Sequence, residues 1–251
     1  MSIYERFARF YASGPYLAYS QAAVEVLPNV LEHFDLPRSG QLLDVACGEG
    51  NFAVQMARQG WQVTGIDQSA EMLALAGERA RQAGVQVQFI QKDMRELSYP
   101  PDFDLVTCWY DSLNYLLSLE SLNWVFTNIK EALKPGGGFI FDMNTIYGLA
   151  VGWQRQACYI QQDRQDLLEI HRSSYDYERQ IASVHITGFT RRGETWERMD
   201  EIHQERAYPV VAIEASLQKV GLKVMDKFGN LKEMTPLAAD SSRIFFVTCK
   251  G

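Results

Sequence analysis

Two carboxylates close two short apolar runs, and their spacing marks a place where a nucleotide-like ligand could lie. The first run, Gln41-Leu42-Leu43-Asp44-Val45-Ala46-Cys47-Gly48-Glu49-Gly50, carries an acid and then two glycines two residues apart. Leu42, Leu43 and Val45 read as a buried parallel strand. Gly48 and Gly50 let the chain bend tightly and lie against a ligand where a Cβ would clash. The stretch from Asn51 to Gln59, stopped by Gly60, reads as a helix whose first amides face the same ligand. Ordinary strand-to-helix turns also contain glycine pairs, so the second run matters. It is Trp61-Gln62-Val63-Thr64-Gly65-Ile66-Asp67, and it too ends in an acid. In a strand–helix–strand unit the second strand lies beside the first, which brings Asp67 to the glycine turn. A carboxylate there can accept both hydroxyls of a ribose. A helix cap is the plainer role for Asp67, but strand, acid and spacing together favour the nucleotide reading.

Two further places carry groups able to move a proton. Asp111 follows the apolar run Phe103-Asp104-Leu105-Val106-Thr107-Cys108, and strand alternation in Asp200–Arg206 puts Glu201, His203 and Glu205 on one face. Asp111 and His203 are therefore the candidate catalytic bases for a substrate that must lose a proton. A solvated strand face is the alternative for the second set. His203 and Glu205 lack a third ligand in the pattern, so no metal site is expected. Asn114, Tyr115 and Asn144, at strand ends, and Trp196 are candidate substrate-binding residues.

These groups need a scaffold. The chain has 251 residues, 47% of them hydrophobic, enough for one α/β core and a single domain over 1–251. Residues 1–37 are rich in aromatics, with spacings of three and four that predict helices broken at Gly14-Pro15, a helical lid. Over 40–145, strands are expected near 42–46, 62–67, 87–91, 104–109 and 138–143. Helices are expected near 51–59, 69–83 and 120–133, the last ended by Lys134-Pro135-Gly136-Gly137-Gly138. Such alternation implies a parallel sheet covered by helices on both faces. Between 150 and 207 the pattern turns polar and β-prone, with strands over Glu169–Tyr177, Ile181–Arg191 and Glu194–Ala207. This block is expected to cover the ligand end of the sheet, offering Trp153, Tyr175, Trp196 and His203 to a compact ligand. Residues 208–251 supply a helix from Val210 to Val220 and two closing strands.

Net charge is −7, and the 24 basic residues never form a run of three. Phosphate neutralisation calls for clustered positive charge, so no nucleic-acid partner is expected. No apolar run reaches the roughly 18 residues of a membrane span, so no membrane partner is expected either. Residues 1–6 lack the apolar centre of a signal peptide, and the four cysteines show neither metal nor disulfide spacing. Reduced thiols in a cytoplasmic protein are the expectation.

Five segments in order now carry a resemblance. They are Asp44–Gly50, Gly65-Ile66-Asp67, Lys92-Asp93-Met94, Phe103–Cys108 and Leu133-Lys134-Pro135-Gly136-Gly137-Gly138-Phe139. Over roughly 40–145 the chain resembles the class I S-adenosylmethionine-dependent methyltransferases, and within them a small-molecule branch akin to bacterial sugar-amine N-methyltransferases. The resemblance implies a Rossmann-like, doubly wound, seven-stranded sheet with its last strand antiparallel, plus an antiparallel β insertion over the active site. It implies S-adenosylmethionine as cofactor, S-adenosylhomocysteine as product and a small-molecule acceptor. By the same resemblance the backbone of residues 46–48 and 50 cradles the donor's amino-acid part, Asp67 holds the ribose, and Gln68 and Met72 flank the adenine. Asp93 accepts from the adenine amino group, Met94 offers its backbone N–H, and Cys108 offers a carbonyl to the donor ammonium. One of Tyr11, Tyr16 and Tyr19 reaches the donor carboxylate or sulfonium, where a π face suits a cation; core packing of the lid is the alternative. The chain departs from the family's first motif at Ala46, where glycine is frequent.

Two other readings stay open on sequence alone. Gly48-Glu49-Gly50-Asn51-Phe52-Ala53 also fits the dinucleotide pattern G-x-G-x-x-A, which would suit a nicotinamide-dependent oxidoreductase. A non-catalytic cofactor-binding module is the other.

Overall fold

A computed structural model describes residues 4–251. Two helices come first, α1 (Ala8–Ser13) and α2 (Leu17–His33). The alternating core follows as β1 (Gln41–Val45), α3 (Asn51–Arg58), β2 (Gln62–Asp67), α4 (Ala70–Ala83), β3 (Gln88–Gln91), β4 (Phe103–Cys108), α5 (Leu119–Ala132) and β5 (Leu133–Asn144). Then come β6 (Cys158–Asp163), β7 (Leu167–Asp176), β8 (Ile181–Arg192), β9 (Thr195–Arg206), α6 (Val210–Val220), β10 (Leu222–Asn230), β11 (Thr235–Pro236) and β12 (Arg243–Lys250).

The main sheet has the order β11-β10-β12-β5-β4-β1-β2-β3. The pairs from β3 to β5 are parallel, and β12 runs antiparallel to both β5 and β10. This is the expected reversed last strand; the two-residue β11 adds an eighth strand at one edge. Strand alternation explains why both faces are covered. Leu43, Val106, Phe139 and Phe141 join Phe126, Ile129, Ile213 and Leu217 of α5 and α6 in one core. Their neighbours Leu42, Leu105 and Ile140 join Leu27, Val30, Phe52 and Met56 of α2 and α3 in the other. The strand order reverses between β1 and β4, so a crevice opens at the carboxyl ends of these two strands.

Local signals set the helix ends. The Ser69 hydroxyl accepts the Met72 N–H at 3.2 Å, Gly84 closes α4 in the left-handed region at φ 67°, and Gly221 closes α6 at φ 88°. Residues 134–137 depart from expectation. Leu133 pairs with Phe103 and Gly138 with Leu105, so the intervening residues loop out of a strand that starts before them.

The second sheet, β6-β7-β8-β9, is antiparallel throughout. It has four strands where sequence patterning showed three, because β6 is an edge strand with mixed exposure. Its inner face carries Leu167, Val184, Ile186 and Met199, which pack on Phe7, Phe10 and Tyr16. Glu169, His171, Glu201, His203 and Glu205 are buried on that face too. The triplet on β9 is therefore no solvated face. No helix among the described residues is long and apolar enough to cross a membrane.

Candidate active site

A cavity of about 650 Å³ opens at the crevice between β1 and β4. One end is built by the turn after β1, whose residues Ala46, Cys47, Gly48 and Glu49 line it, with Asp67, Gln68 and Met72 beside them. Ala46 and Gly48 both take positive φ, 58° and 55°. That conformation is strained for alanine and free for glycine, which gives the family's glycine at the first position its reason. A Cβ on Gly48 would lie 3.3 Å from the Met72 methyl, inside the groove. Gly50 does not line the cavity. A Cβ there would meet Ala76 Cβ at 2.7 Å, so this glycine exists for the packing of α3 on α4.

The acids here are held in different ways. Asp67 accepts the N–H of Gly48 through Oδ2 and that of Ser69 through Oδ1, both at 2.9 Å. Burial raises its carboxyl despite these bonds, and each oxygen keeps a second lone pair for a ligand hydroxyl. Burial pushes Asp44 up to about 8, against the hydrogen bond from Thr107 Oγ1 at 2.9 Å; Asp67 and Glu49 add to the rise. Glu49 is raised by burial and partly offset by Arg79 at 2.5 Å. Asp93, at the next strand end, is lowered by Arg95, whose guanidinium and backbone N–H both bond it.

The opposite wall is aromatic. Tyr4, Tyr11, Tyr16, Tyr19, Tyr110 and Tyr115 line it together with Trp109. Tyr11 and Tyr16 stack at 4.5 Å, and Tyr19 lies 4.6 Å from Tyr110. Beyond them the cavity reaches Ile202 and Gln204 of the edge strand β9.

Comparison with known proteins decides the family. The family described as "Methyltransferase domain" matches residues 42–137. A relative from Geobacillus sp. (strain WCH70), named "Putative methyltransferase GWCH70_2453", is 32% identical over 249 residues, covering 98% of this chain and 99% of the relative. The chain belongs to the class I S-adenosylmethionine-dependent methyltransferases. The solved structure of an S-adenosylmethionine-dependent methyltransferase from Clostridium acetobutylicum ATCC 824 superposes with a TM-score of 0.83 at 28% identity, covering 100% of both chains. The sugar N-methyltransferase KedS8 from Streptoalloteichus sp ATCC 53650 shares the fold, with a TM-score of 0.75 at 17% identity over 99% of this chain and 93% of its own. The nicotinamide reading of the glycine turn is set aside.

Of the residues expected at the site, Tyr11, Tyr19, Ala46, Gly48, Asp67, Gln68, Met72, Asp93, Met94 and Tyr115 line the cavity. Others do not reach the wall. Cys108 is fully buried at the end of β4, and Trp109 takes the lining position. Asp111 points away from the cavity to Arg243 at 2.7 Å. The reason is the turn it sits in. Tyr110 and Asp111 both have positive φ, 58° and 53°, and their N–H groups donate to Asp142 at 2.7 and 3.0 Å. Arg243 joins Asp142 and Asp111 and lies over the rings of Tyr19 and Tyr110, at 4.9 and 5.4 Å from their centroids. Asp111 is thereby a strut, and its neighbour Tyr110 lines the cavity.

His203 is buried one layer behind Tyr4 and Tyr115. Asn114 staples strand ends, donating to the carbonyls of Asn144 and Arg206 and accepting the Asn144 N–H. Asn144 donates to Glu205 at 2.8 Å. Trp196 is 47% exposed on the outer face of β9, opposite Arg191, because the alternation that turns Glu201 and His203 inward turns it outward. Trp153 and Tyr175 likewise pack inside the β layer and not against the cavity. Sequence patterning missed Trp109 and Tyr110, although an aromatic pair directly after an apolar strand was a usable signal. It also missed the Asp142–Arg243 pair. A carboxylate inside the apolar run from Phe139 to Met143 was the clue, since a buried charge needs a partner.

Proposed function

We propose that this methyltransferase transfers the donor methyl to a nitrogen or oxygen of a small polar molecule enclosed between the tyrosine wall and the edge of β9. The observation that carries this is the character of the cavity. Its lining runs from the glycine turn to Ile202 and Gln204, it holds six tyrosines, and among the described residues its only cationic side chains are Lys92 and Arg95. Arg95 is already paired with Asp93 at 2.5 Å. A nucleic acid would need an array of free cations along an open groove, whereas aromatic walls with a few polar tips fit a compact ligand.

The residues present fit S-adenosylmethionine, which supplies an electrophilic methyl on a cationic sulfur. Residues 46–48 cradle its amino-acid part, and the raised acids Asp44 and Glu49 suit a cation nearby. Asp67 takes the ribose hydroxyls; Gln68, Met72, Asp93 and Met94 form the adenine end. The tyrosine faces stabilise positive charge on sulfur. Alignment and exclusion of water then contribute much of the rate. Residues 4–37 act as a lid and residues 150–207 as the cover. The fold shared with a sugar N-methyltransferase suits this acceptor class. Composition supports a cytoplasmic setting.

The acceptor class is tested by incubating the protein with methyl-labelled donor and a cell extract separated by ultrafiltration. Label is expected in the small-molecule fraction, and the Asp67→Ala variant should need more donor to produce it, having lost charge-assisted bonds worth about 1.5–3 kcal/mol. Label confined to protein or nucleic acid would overturn the reading.

A further inference from the structure

Four groups behind the cavity's cover side form one hydrogen-bonded chain. The hydroxyls of Tyr4 and Tyr115, both on the wall, lie 3.1 Å apart. Tyr115 Oη is 2.9 Å from His203 Nδ1, and His203 Nε2 is 3.2 Å from Glu201 Oε2. Donor and acceptor capacities set the direction at Glu201, and a neutral imidazole then sets the other two. Glu201 accepts the backbone N–H groups of Tyr4, Arg6 and Phe7 at 3.0, 2.7 and 2.9 Å. Burial pushes its carboxyl up, but the bonds from His203 and those three amides outweigh burial and hold it below the usual value. An ionised carboxylate only accepts, so Nε2 of His203 carries the hydrogen. A neutral imidazole then has a bare Nδ1, which accepts from the Tyr115 hydroxyl, and the Tyr115 oxygen accepts from Tyr4. In this arrangement every donor of the chain points from the cavity inward.

The same sheet contains an internal comparison. Strand β7 repeats the tripeptide of β9, Glu169-Ile170-His171 against Glu201-Ile202-His203. His171 Nε2 lies 2.5 Å from Glu169, and its Nδ1 lies 3.2 Å from Tyr159. Here the cavity tyrosine, Tyr16, donates to the carboxylate at 2.5 Å and not to the imidazole. The β7 motif therefore clamps a wall residue, and only the β9 motif presents a proton-accepting nitrogen to one.

We propose that Tyr115, His203 and Glu201 form the proton-accepting relay of the methyl transfer, with Tyr115 touching the acceptor and the other two positioned to act through it. This rests on the small-molecule reading above. The acceptor lone pair forms the bond to the methyl carbon while the carbon–sulfur bond breaks and its electrons stay on sulfur. The acceptor's hydrogen passes to Tyr115 Oη as the Tyr115 hydrogen passes to His203 Nδ1. The positive charge that began on sulfur ends on the imidazolium beside Glu201. The titratable groups facing this chain from outside it are Tyr11 on α1, Tyr110 and Asp111 after β4, and Glu205 on β9. Val184, across the ladder on β8, is apolar.

The test begins with ¹⁵N-histidine NMR of the protein saturated with S-adenosylhomocysteine, the His203 signals being assigned with His203→Gln. His203 is expected as the Nε2–H tautomer, with its bare Nδ1 signal shifted by Tyr115→Phe and unmoved by Tyr159→Phe, which shifts His171 instead. A hydrogen on Nδ1 would overturn the proposal, because His203 would then donate to Tyr115. With the acceptor found in the small-molecule fraction, kcat/KM should fall toward low pH, since a protonated imidazole has no free Nδ1. Tyr115→Phe and His203→Gln should each lower kcat by about a hundredfold and remove that limb; an unchanged limb would overturn the relay. Absence of S-adenosylhomocysteine binding would defeat the methyl-transfer reading itself, and the tautomer in the free protein would still report on the chain.

Discussion

Asp44, Glu49 and Asp67 crowd the glycine turn, and all three carboxyls are raised by burial. Asp44 is the clearest case, moved from 3.8 to about 8. Its sign is unusual for a carboxyl. The folded protein keeps this proton after the unfolded chain has lost it, so Asp44 costs stability as pH rises from about 4 to about 8. A cation bound beside it favours the ionised form, and linkage then requires donor binding to release a proton below that upper value. Calorimetry of S-adenosylmethionine binding at neutral pH, in buffers of differing ionisation enthalpy, should show this release, with affinity rising toward pH 8. Asp44→Asn should remove the buffer dependence. Identical heats in every buffer for the unsubstituted protein would contradict the assignment. Asp44 and Asp67 were legible as strand-end carboxylates, Asp44 one residue before the end of β1 and Asp67 closing β2. Asp111 was misplaced because its partners, Asp142 and Arg243, lie on strands far along the chain, and pattern carries no information about such pairs.

At the level of elements, periodicity located the alternating core well, and the misses have local causes. The loop at 134–137 reads as a terminator, yet the ladder begins one residue earlier, at Leu133. Alternation correctly grouped Glu201, His203 and Glu205, but it could not show that the backbone of Tyr4, Arg6 and Phe7 covers Glu201. Glycine's role was legible only in part. Gly50 serves helix packing, so Gly50→Ala should destabilise the fold by about 1–3 kcal/mol through overpacking against Ala76 and strain at φ 78°. Gly77, on the same helix α4 with open space around its Cβ position, should accept alanine with no loss and a gain of roughly 0.5–1 kcal/mol. Denaturant titrations of the two variants check this; equal tolerance at both positions would contradict the packing role.

For the whole molecule, the parallel part of the main sheet supplies the turn and strand-end acids, while the N-terminal segment and the second sheet bound the cavity from the other side. Neither part alone lines the cavity, because Tyr4 and Tyr16 of the N-terminal segment are fastened to Glu201 and Glu169 of the second sheet. The parallel sheet followed from strand–helix alternation, and the reversed closing strand from the family resemblance. The geometry of closure did not, since it depends on contacts such as Tyr16 with Glu169, separated by 153 positions. The most direct test is a crystal structure of the protein grown with S-adenosylhomocysteine. The homocysteine is expected over residues 46–48, the ribose at Asp67, the adenine beside Asp93 and Met94, and the sulfur facing the tyrosine wall and Tyr115. Ligand bound outside this cavity, or with its sulfur turned away from the tyrosines, would contradict this placement.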